Sequence, residues 1–358
     1  MRAFRRKETW FDIEALRSFY QGKRILVTGA AGSVGSSLCL QLAELGCARL
    51  GMLDQFDHGL LEILEQVHRI SPRLDAVDAL CDIRDRERLQ TWVSRIEPEV
   101  VIHAAALKHV HLGERHPVEC ILTNLVGVRN TLAAAAAAGA SDFMLVSSDK
   151  AASPVCVMGA TKRLAEMHLI GALSERDASM RIRSVRFGNV MGSQGSVAPR
   201  FTSQIAAGGP LEVTHPEMQR FFMSSQEAVG LILSVTALED RDAGRTGAYF
   251  MEMGEPVSIL ELGRQMIERS GRKIEIEFTG LRPGEKIKEE LFDQYETVSE
   301  CGLPGVFRVA PIAADAYVTS ADVDFLQTMA RSMEDAVVRQ RVFAFLDSRL
   351  GRLEQAVG

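Results

Sequence analysis

The sequence has no CxxC pair, no Cys/His ligand spacing and no uninterrupted apolar run approaching the length of a membrane span. Its six cysteines (Cys39, Cys47, Cys81, Cys120, Cys156 and Cys301) are scattered through 358 residues. That scatter argues against a zinc ribbon or a disulfide framework and reads as reduced, mostly buried thiols of a cytoplasmic protein. An excess of positive charge is also missing: 41 Lys and Arg face 47 Asp and Glu, a net charge of -6. A nucleic-acid footprint is therefore not expected. Arg2, Arg5, Arg6 and Lys7 form a small basic cluster, but no apolar core follows it, so it is not a signal peptide. A solvated tail is the plain reading of that cluster, and a weak membrane-surface contact is the other. No internal repeat occurs, and neither an integral membrane segment nor a metal site is expected. What remains is an ordinary globular composition, 46% hydrophobic and 25% charged, long enough for one large domain or two joined ones.

Short apolar runs alternate with helical patterns from Lys23 onward. Strands are predicted at 24–28, 50–53, 77–80, 100–104 and 143–147. Helices are predicted at 33–45, 60–70, 84–96, 117–138 and 160–173, the alanine run favouring one long helix at 117–138. Such alternation predicts an α/β fold, a Rossmann-type doubly wound parallel sheet with a smaller C-terminal substrate-binding lobe. Residues 1–22 read as an N-terminal extension, 23–186 as the Rossmann domain and 187–305 as the lobe, interleaved with it. Residues 306–358 read as a helical tail, with helices at 321–330 and 334–350.

The first strand runs into Gly29-Ala-Ala-Gly32-Ser33-Val34-Gly35 and then a helix. Gly29 permits a tight turn, Gly32 lets backbone approach a pyrophosphate, and Gly35 allows close helix–strand packing. The helix N-terminus, at Ser33 and Val34, offers N–H groups to phosphates. Three glycines near a turn also serve turn geometry alone, but strand and helix flank these on both sides. Asp54 ends the second strand, nineteen residues beyond Gly35. A carboxylate there accepts both ribose hydroxyls of adenosine and repels a 2'-phosphate, which favours NAD over NADP; an ordinary strand-end residue is the alternative. Asp82, with Ile83 beside it, is placed to accept from adenine. Ala104, Ala105 and Ala106 supply small side chains where a cofactor passes.

Ser147-Ser148-Asp149-Lys150 follows the fifth strand at the end where open α/β sheets place ligands. Eight residues on, Met158-Gly-Ala-Thr-Lys162 opens a helix. In short-chain dehydrogenases that slot normally reads Tyr-x-x-x-Lys. Lys162 fits the role of binding the nicotinamide ribose, whereas the Met158 thioether cannot relay a proton. On the residues alone, Asp149-Lys150 is equally a turn with an exposed ion pair.

Several stretches together resemble the UDP-N-acetylglucosamine 4,6-dehydratase group of the polysaccharide-biosynthesis branch of the extended short-chain dehydrogenases. They are HAAALKHVHLGERHP (103–117), SSDKAASPVCVMGATKRLAE (147–166), RFGNVMGSQGSVAPRF (186–201), THPEMQRFFM (214–223) and GLRPGEKIKEELF (280–292). The resemblance spans Lys23 to about Phe292, matches the catalytic part of larger membrane-anchored members, and includes their Met in place of Tyr. It implies oxidation at C4 with NAD, loss of water across C5–C6 and reduction at C6. In that scheme a desolvated, neutral Lys150 removes the C5 proton, Asp149 protonates the departing O6 hydroxyl, and Ser148 hydrogen-bonds O4.

Arg282 is a fixed-charge fork suited to a diphosphate, with Glu285 in the same motif. Arg200, Arg220, Asn189, Lys108 and His109 are further substrate candidates, although each arginine taken alone is as readily a solvated surface residue. His109 and His111 have no third ligand at sensible spacing and read as packing or substrate contacts. His111 replaces the Pro of the family's Lys-His-Val-Pro-Leu, and the tail after Cys301 matches the family poorly. The expected substrate is a UDP-activated amino sugar, and a homo-oligomer is expected because helices such as 117–138 and 160–173 pair in relatives. Two competing readings are an epimerase of the same fold and a silent NAD or nucleotide-sugar binding protein. Retention of Asp149, Lys150 and Lys162 together argues against silence.

Overall fold

In the computed structural model the described residues are 11–175, 180–193, 195–239, 246–294, 296–311 and 317–357. The basic cluster at residues 2–7 lies outside them. The first half alternates strand and helix, as the apolar runs demand. Strands β1 (Arg24–Thr28), β2 (Arg49–Asp54), β3 (Asp75–Leu80), β4 (Val100–His103), β5 (Asp142–Val146) and β6 (Arg181–Arg186) form in chain order. Among them lie α1 (Ile13–Tyr20), α2 (Ser33–Glu44), α3 (Asp57–Ile70), α4 (Arg86–Ile96) and α5 (Val110–Arg115), then α6 (Pro117–Ile121), α7 (Gly127–Ala137) and α8 (Val157–Glu175). Beyond β6 come β7 (Asn189–Val190), α9 (Val197–Ala206), β8 (Leu211–Val213), β9 (Gln219–Arg220), β10 (Phe222–Met223) and α10 (Ser225–Ala237). The chain continues through β11 (Thr246–Met251), β12 (Val257–Ser258), α11 (Ile259–Ser270), β13 (Ile276–Phe278), β14 (Glu296–Glu300) and β15 (Val306–Pro311). It ends with α12 (Ser320–Ser332) and α13 (Asp335–Val357).

Nine strands share one sheet in the order β14-β15-β11-β6-β5-β4-β1-β2-β3. The seven from β11 to β3 run parallel, and β15 and β14 close one edge antiparallel. Successive residues of β1 point to opposite layers: Leu26 joins one core, while Ile25 and Val27 join the other. All three are fully buried, each contributing roughly 1.5–3 kcal/mol of transfer free energy. Chain order reverses between β1 and β4, which opens a crevice at the carboxyl ends of those strands. The small lobe has its own core of Phe201, Ile205, Leu211, Val213, Met218, Phe222 and Ile259, with β8 pairing β13.

Three sequence expectations change. The single helix at 117–138 is interrupted: residues Leu122–Val126 form a π-turn between α6 and α7. Over Pro117–Ala137 this helix is apolar and long enough to cross a membrane by length and composition, although 67% of that window is buried inside the protein. Residues 306–311 are not helical but form β15 in the main sheet, and Val318, Val323, Leu326, Val338 and Val342 of the last segment join the core beneath it. Of the N-terminal extension, residues 11–22 dock onto the core: Tyr20 is fully buried and its hydroxyl donates to Leu233 O at 2.9 Å.

Candidate active site

The crevice begins with the glycine turn after β1. Gly29 has φ +69°, in the left-handed region, and a Cβ there would lie 2.6 Å from Ala105 N. At Gly35 a Cβ would lie 2.0 Å from Gly29 O, so this position brings α2 against the turn. Gly32 differs: a Cβ would meet only Gly29 O, at 3.2 Å, and otherwise project into open space. Gly32 is also the N-cap of α2, with no side chain to cap the turn that Ser33 and Val34 open. A cavity of about 240 Å³ lies over it, lined also by Gly29, Asp54, Asp82, Ile83 and Ala104–Ala106.

Asp54, ending β2, braces the turn: its carboxylate accepts from Ala31 N at 2.9 Å and from Phe56 N at 3.0 Å. Both oxygens keep acceptor capacity, since a carboxylate has about four lone-pair sites. Asp82 is more committed. It accepts from Arg84 Nε at 2.8 Å and Arg84 N at 2.9 Å. Burial opposes its charge, but the Arg84 bonds outweigh that and hold its carboxyl below the usual range. Ile83 is buried in the core, and its carbonyl accepts from Asn130 Nδ2 at 3.1 Å. The helix N-terminus without a side-chain cap, the open space above Gly32 and the Asp54 carboxylate together fit a dinucleotide.

The chemistry-bearing loop leaves β5 at the same sheet edge. Ser147 is buried, its hydroxyl bonded to Glu166 Oε1 at 2.5 Å. Ser148 donates its hydroxyl to Asp149 Oδ1 at 2.9 Å, and Lys150 Nζ donates to the same oxygen at 3.0 Å. Asp149 is 1% exposed, and its Oδ2 is buried without a partner among the described residues. A carboxylate oxygen so placed is costly unless a ligand completes it. Lys150 also lies 3.4 Å from Glu289 Oε1. Burial works against the Lys150 ammonium, but Asp149 and Glu289 outweigh it and hold its pKa above the ordinary lysine value. The two carboxylates thus favour the charged form of Lys150 here, whereas the role expected for it as a base requires the neutral one.

The lysine that approaches neutrality is Lys162. It is 4% exposed and donates to Val146 O at 2.9 Å. Burial, only partly offset by Glu166 and Cys120, lowers its pKa to about 8. Met158 stands one turn earlier on α8, 3% exposed and packed with Cys120, Cys156 and Val157. An apolar plug occupies the slot where a tyrosine would carry a proton.

The remaining candidates divide. Arg220 closes on this cluster: it donates to Ile287 O at 3.1 Å and lies 3.9 Å from Glu289. The 280–290 strap meets the loop after β5 at Ala152 and Cys156, and Arg282 N is stapled to Glu285 Oε2 at 3.0 Å within it. Among the described residues nothing engages the half-buried Arg282 guanidinium. His109 meets the strand-to-helix loop before α9, where a Cβ at Gly195 would lie 2.6 Å from its Cε1. Its ring is 5.9 Å from that of His111, and no three His, Cys, Asp or Glu side chains gather for a metal among the described residues. Lys108 is exposed beside it, and Asn189 is half-buried in β7. Arg200 is instead spent on an ion pair with Glu212.

Three residues escaped the sequence reading. Glu289 lay within a quoted motif, but its strap is irregular and no periodicity aims it at Lys150. Asn124 sits in the π-turn, where it bonds Leu107 N at 2.8 Å, Leu107 O at 3.0 Å and Thr161 Oγ1 at 3.2 Å. The π-turn thus ties the loop after β4 to α8, and such turns are frequent at functional sites. Glu114 accepts from Val157 N at 2.7 Å and from Arg339 Nε at 2.6 Å, fixing the start of α8 to α13.

Fold and site together define a Rossmann-type α/β protein with a dinucleotide cradle beside a carboxylate–lysine cluster. The chain belongs to the polysaccharide biosynthesis protein family, whose sequence model matches residues 25–311. It is 37% identical to the probable polysaccharide biosynthesis protein EpsC of Bacillus subtilis, over 96% of this chain and 56% of EpsC. It is 41% identical to the capsular polysaccharide biosynthesis protein CapD of Staphylococcus aureus, over 80% of this chain and 47% of CapD. The chain thus spans about half the length of these relatives. The solved structure of Pen from Bacillus thuringiensis superposes with a TM-score of 0.73 at 30% identity, covering 82% of this chain and 87% of that one. The EpsC match extends past Cys301, whereas the family model ends at residue 311.

Proposed function

We propose that this chain is an NAD-dependent nucleotide-sugar 4,6-dehydratase acting on UDP-N-acetylglucosamine. The observation that carries the reading is the Asp149–Lys150 pair: hydrogen-bonded at 3.0 Å, with Asp149 Oδ2 buried and open, beside a Met158 that cannot act as base. Gly29, Gly32, Gly35 and Asp54 would hold NAD, with Lys162 on the nicotinamide ribose. When bound, NAD supplies acceptance of a hydride and its return.

The chain's own residues supply the proton transfers. Across their 3.0 Å bond one proton passes from Lys150 Nζ to Asp149, and that single transfer leaves a neutral amine beside a carboxylic acid. Exclusion of water on substrate binding favours this uncharged form, since burial penalises charge. Lys150 then takes the C5 proton, acidified by the adjacent C4 ketone. Asp149 gives its proton to the departing O6 hydroxyl, so water leaves and the pair returns to Asp149 carboxylate and Lys150 ammonium. Ser148, already bonded to Asp149, is placed to bond O4, and Arg282 offers its unengaged guanidinium to the diphosphate. A simple C4 epimerase keeps the tyrosine and needs no acid for O6, so Met158 favours elimination.

Membership in the polysaccharide biosynthesis family supports a product destined for a surface glycan. The test is incubation of the full chain with UDP-N-acetylglucosamine and NAD. A UDP-sugar product lighter by one water is expected, and unchanged mass with C4 inversion would replace this reading by an epimerase.

A further inference from the structure

Glu289 is 4% exposed, yet it approaches two cations, Lys150 Nζ at 3.4 Å and Arg220 at 3.9 Å. It reaches them from the 280–290 strap, which is fastened over the catalytic loop at other points. Lys286 Nζ donates to Ala152 O at 3.5 Å, Gln219 N to Ile287 O at 2.9 Å, and a Cβ at Gly284 would lie 2.7 Å from Cys156 Cβ. A buried carboxylate on an irregular strap is costly to keep unless it acts on its neighbours.

We propose that Glu289 is a positioning residue for the proton-transfer pair: from the strap it fixes Lys150 Nζ and sets how the shared proton divides between Lys150 and Asp149. This rests on the dehydratase reading for its meaning, although not for its test. The charged and titratable groups facing Lys150 are Asp149 on its own loop, Glu289 on the strap, Arg220 on β9 and Cys156 before α8. Asp149 and Glu289 attract the ammonium and Arg220 repels it. Removing the Glu289 charge leaves Asp149 alone against burial and Arg220, so the proton shifts toward Asp149.

The experiment is nuclear magnetic resonance titration of Lys150 Cε in the full chain, labelled with ¹³C-lysine and assigned by its loss in Lys150→Arg. In wild type, Lys150 is expected to stay charged above the midpoint of free lysine. In Glu289→Gln its midpoint falls by about one pH unit or more, the size that loss of a neighbouring opposite charge produces. Glu289→Asp, which keeps the charge, restores most of the shift. An unchanged midpoint in Glu289→Gln would overturn the proposal, as would a wild-type Lys150 titrating below free lysine, a result that needs no variant to fold. Because no sugar is present, a failed dehydratase assay and a failed Glu289 assignment are separate outcomes.

Discussion

Asp149→Asn changes charge with almost no change in shape. The amide oxygen can take the place of Oδ1, which accepts from Ser148 at 2.9 Å and Lys150 at 3.0 Å, so the loop is expected to fold. What is lost is an acid for O6 and one of the two negative charges holding Lys150 protonated. An opposite charge at this range moves a pKa by roughly 1–3 units, about 1.4–4 kcal/mol. Lys150 is 15% exposed and Asp149 1%, so solvent screening removes little of that. The Lys150 pKa therefore falls, which by itself would make it a better base. Elimination nevertheless needs a proton for O6, and loss of a general acid costs about 10²–10⁴ in rate. The expected phenotype is a split. On mixing enzyme, NAD and UDP-N-acetylglucosamine in a stopped-flow spectrometer, reduced cofactor still appears, because oxidation at C4 does not use the O6 acid. Release of dehydrated sugar, followed by chromatography, falls by two to four orders of magnitude. A variant that forms dehydrated product at the wild-type rate would refute the acid assignment, and one that neither reduces cofactor nor binds it would place Asp149 in binding.

Two further predictions concern the cradle and the frame behind it. Asp54→Asn keeps an acceptor for only one of Ala31 N and Phe56 N, which bond different carboxylate oxygens, and removes the charge facing a ribose, so NAD affinity should fall by about 10–100-fold, the worth of a charge-assisted bond, while discrimination against NADP relaxes. Calorimetry with both cofactors decides this, and unchanged affinities for both would withdraw Asp54 from the ribose. Glu296, bonded to Arg186 at 2.7 Å and paired with Arg163, has its pKa lowered to about 2, because these arginines outweigh burial. A carboxyl depressed in the folded state adds stability that is full above its unfolded pKa and is lost as pH falls toward 2. The shift corresponds to about 3 kcal/mol. Glu296→Gln should lower thermal stability at neutral pH and flatten its decline between about pH 5 and 2; an identical pH slope would contradict the assignment.

How far the sequence carries depends on the range of the interaction. The glycine turn was legible because its requirements are local: strand, left-handed Gly29, close approach at Gly35 and helix follow one another within a dozen residues. The parallel sheet followed from apolar runs separated by helical periods. Its antiparallel edge did not, because β14 is mostly exposed and reads as polar chain until β15 covers it. The π-turn at Leu122–Val126 was also hidden, since Asn124 acts through the distant Leu107, a contact that no local pattern reports. Lys150 shows the limit most clearly. Its position beside Asp149 was readable, but its second carboxylate neighbour is Glu289, 139 residues further on and carried by a strap with no regular period.

The most direct test of the central claim is mass spectrometry of UDP-N-acetylglucosamine treated with the purified chain and NAD in deuterated water. Elimination with Lys150 as base and return of a solvent proton predicts a UDP-sugar lighter by one water and carrying one deuterium at C5. Deuterium at C5 with no loss of water, or a mass that never changes while NAD is bound, would contradict it.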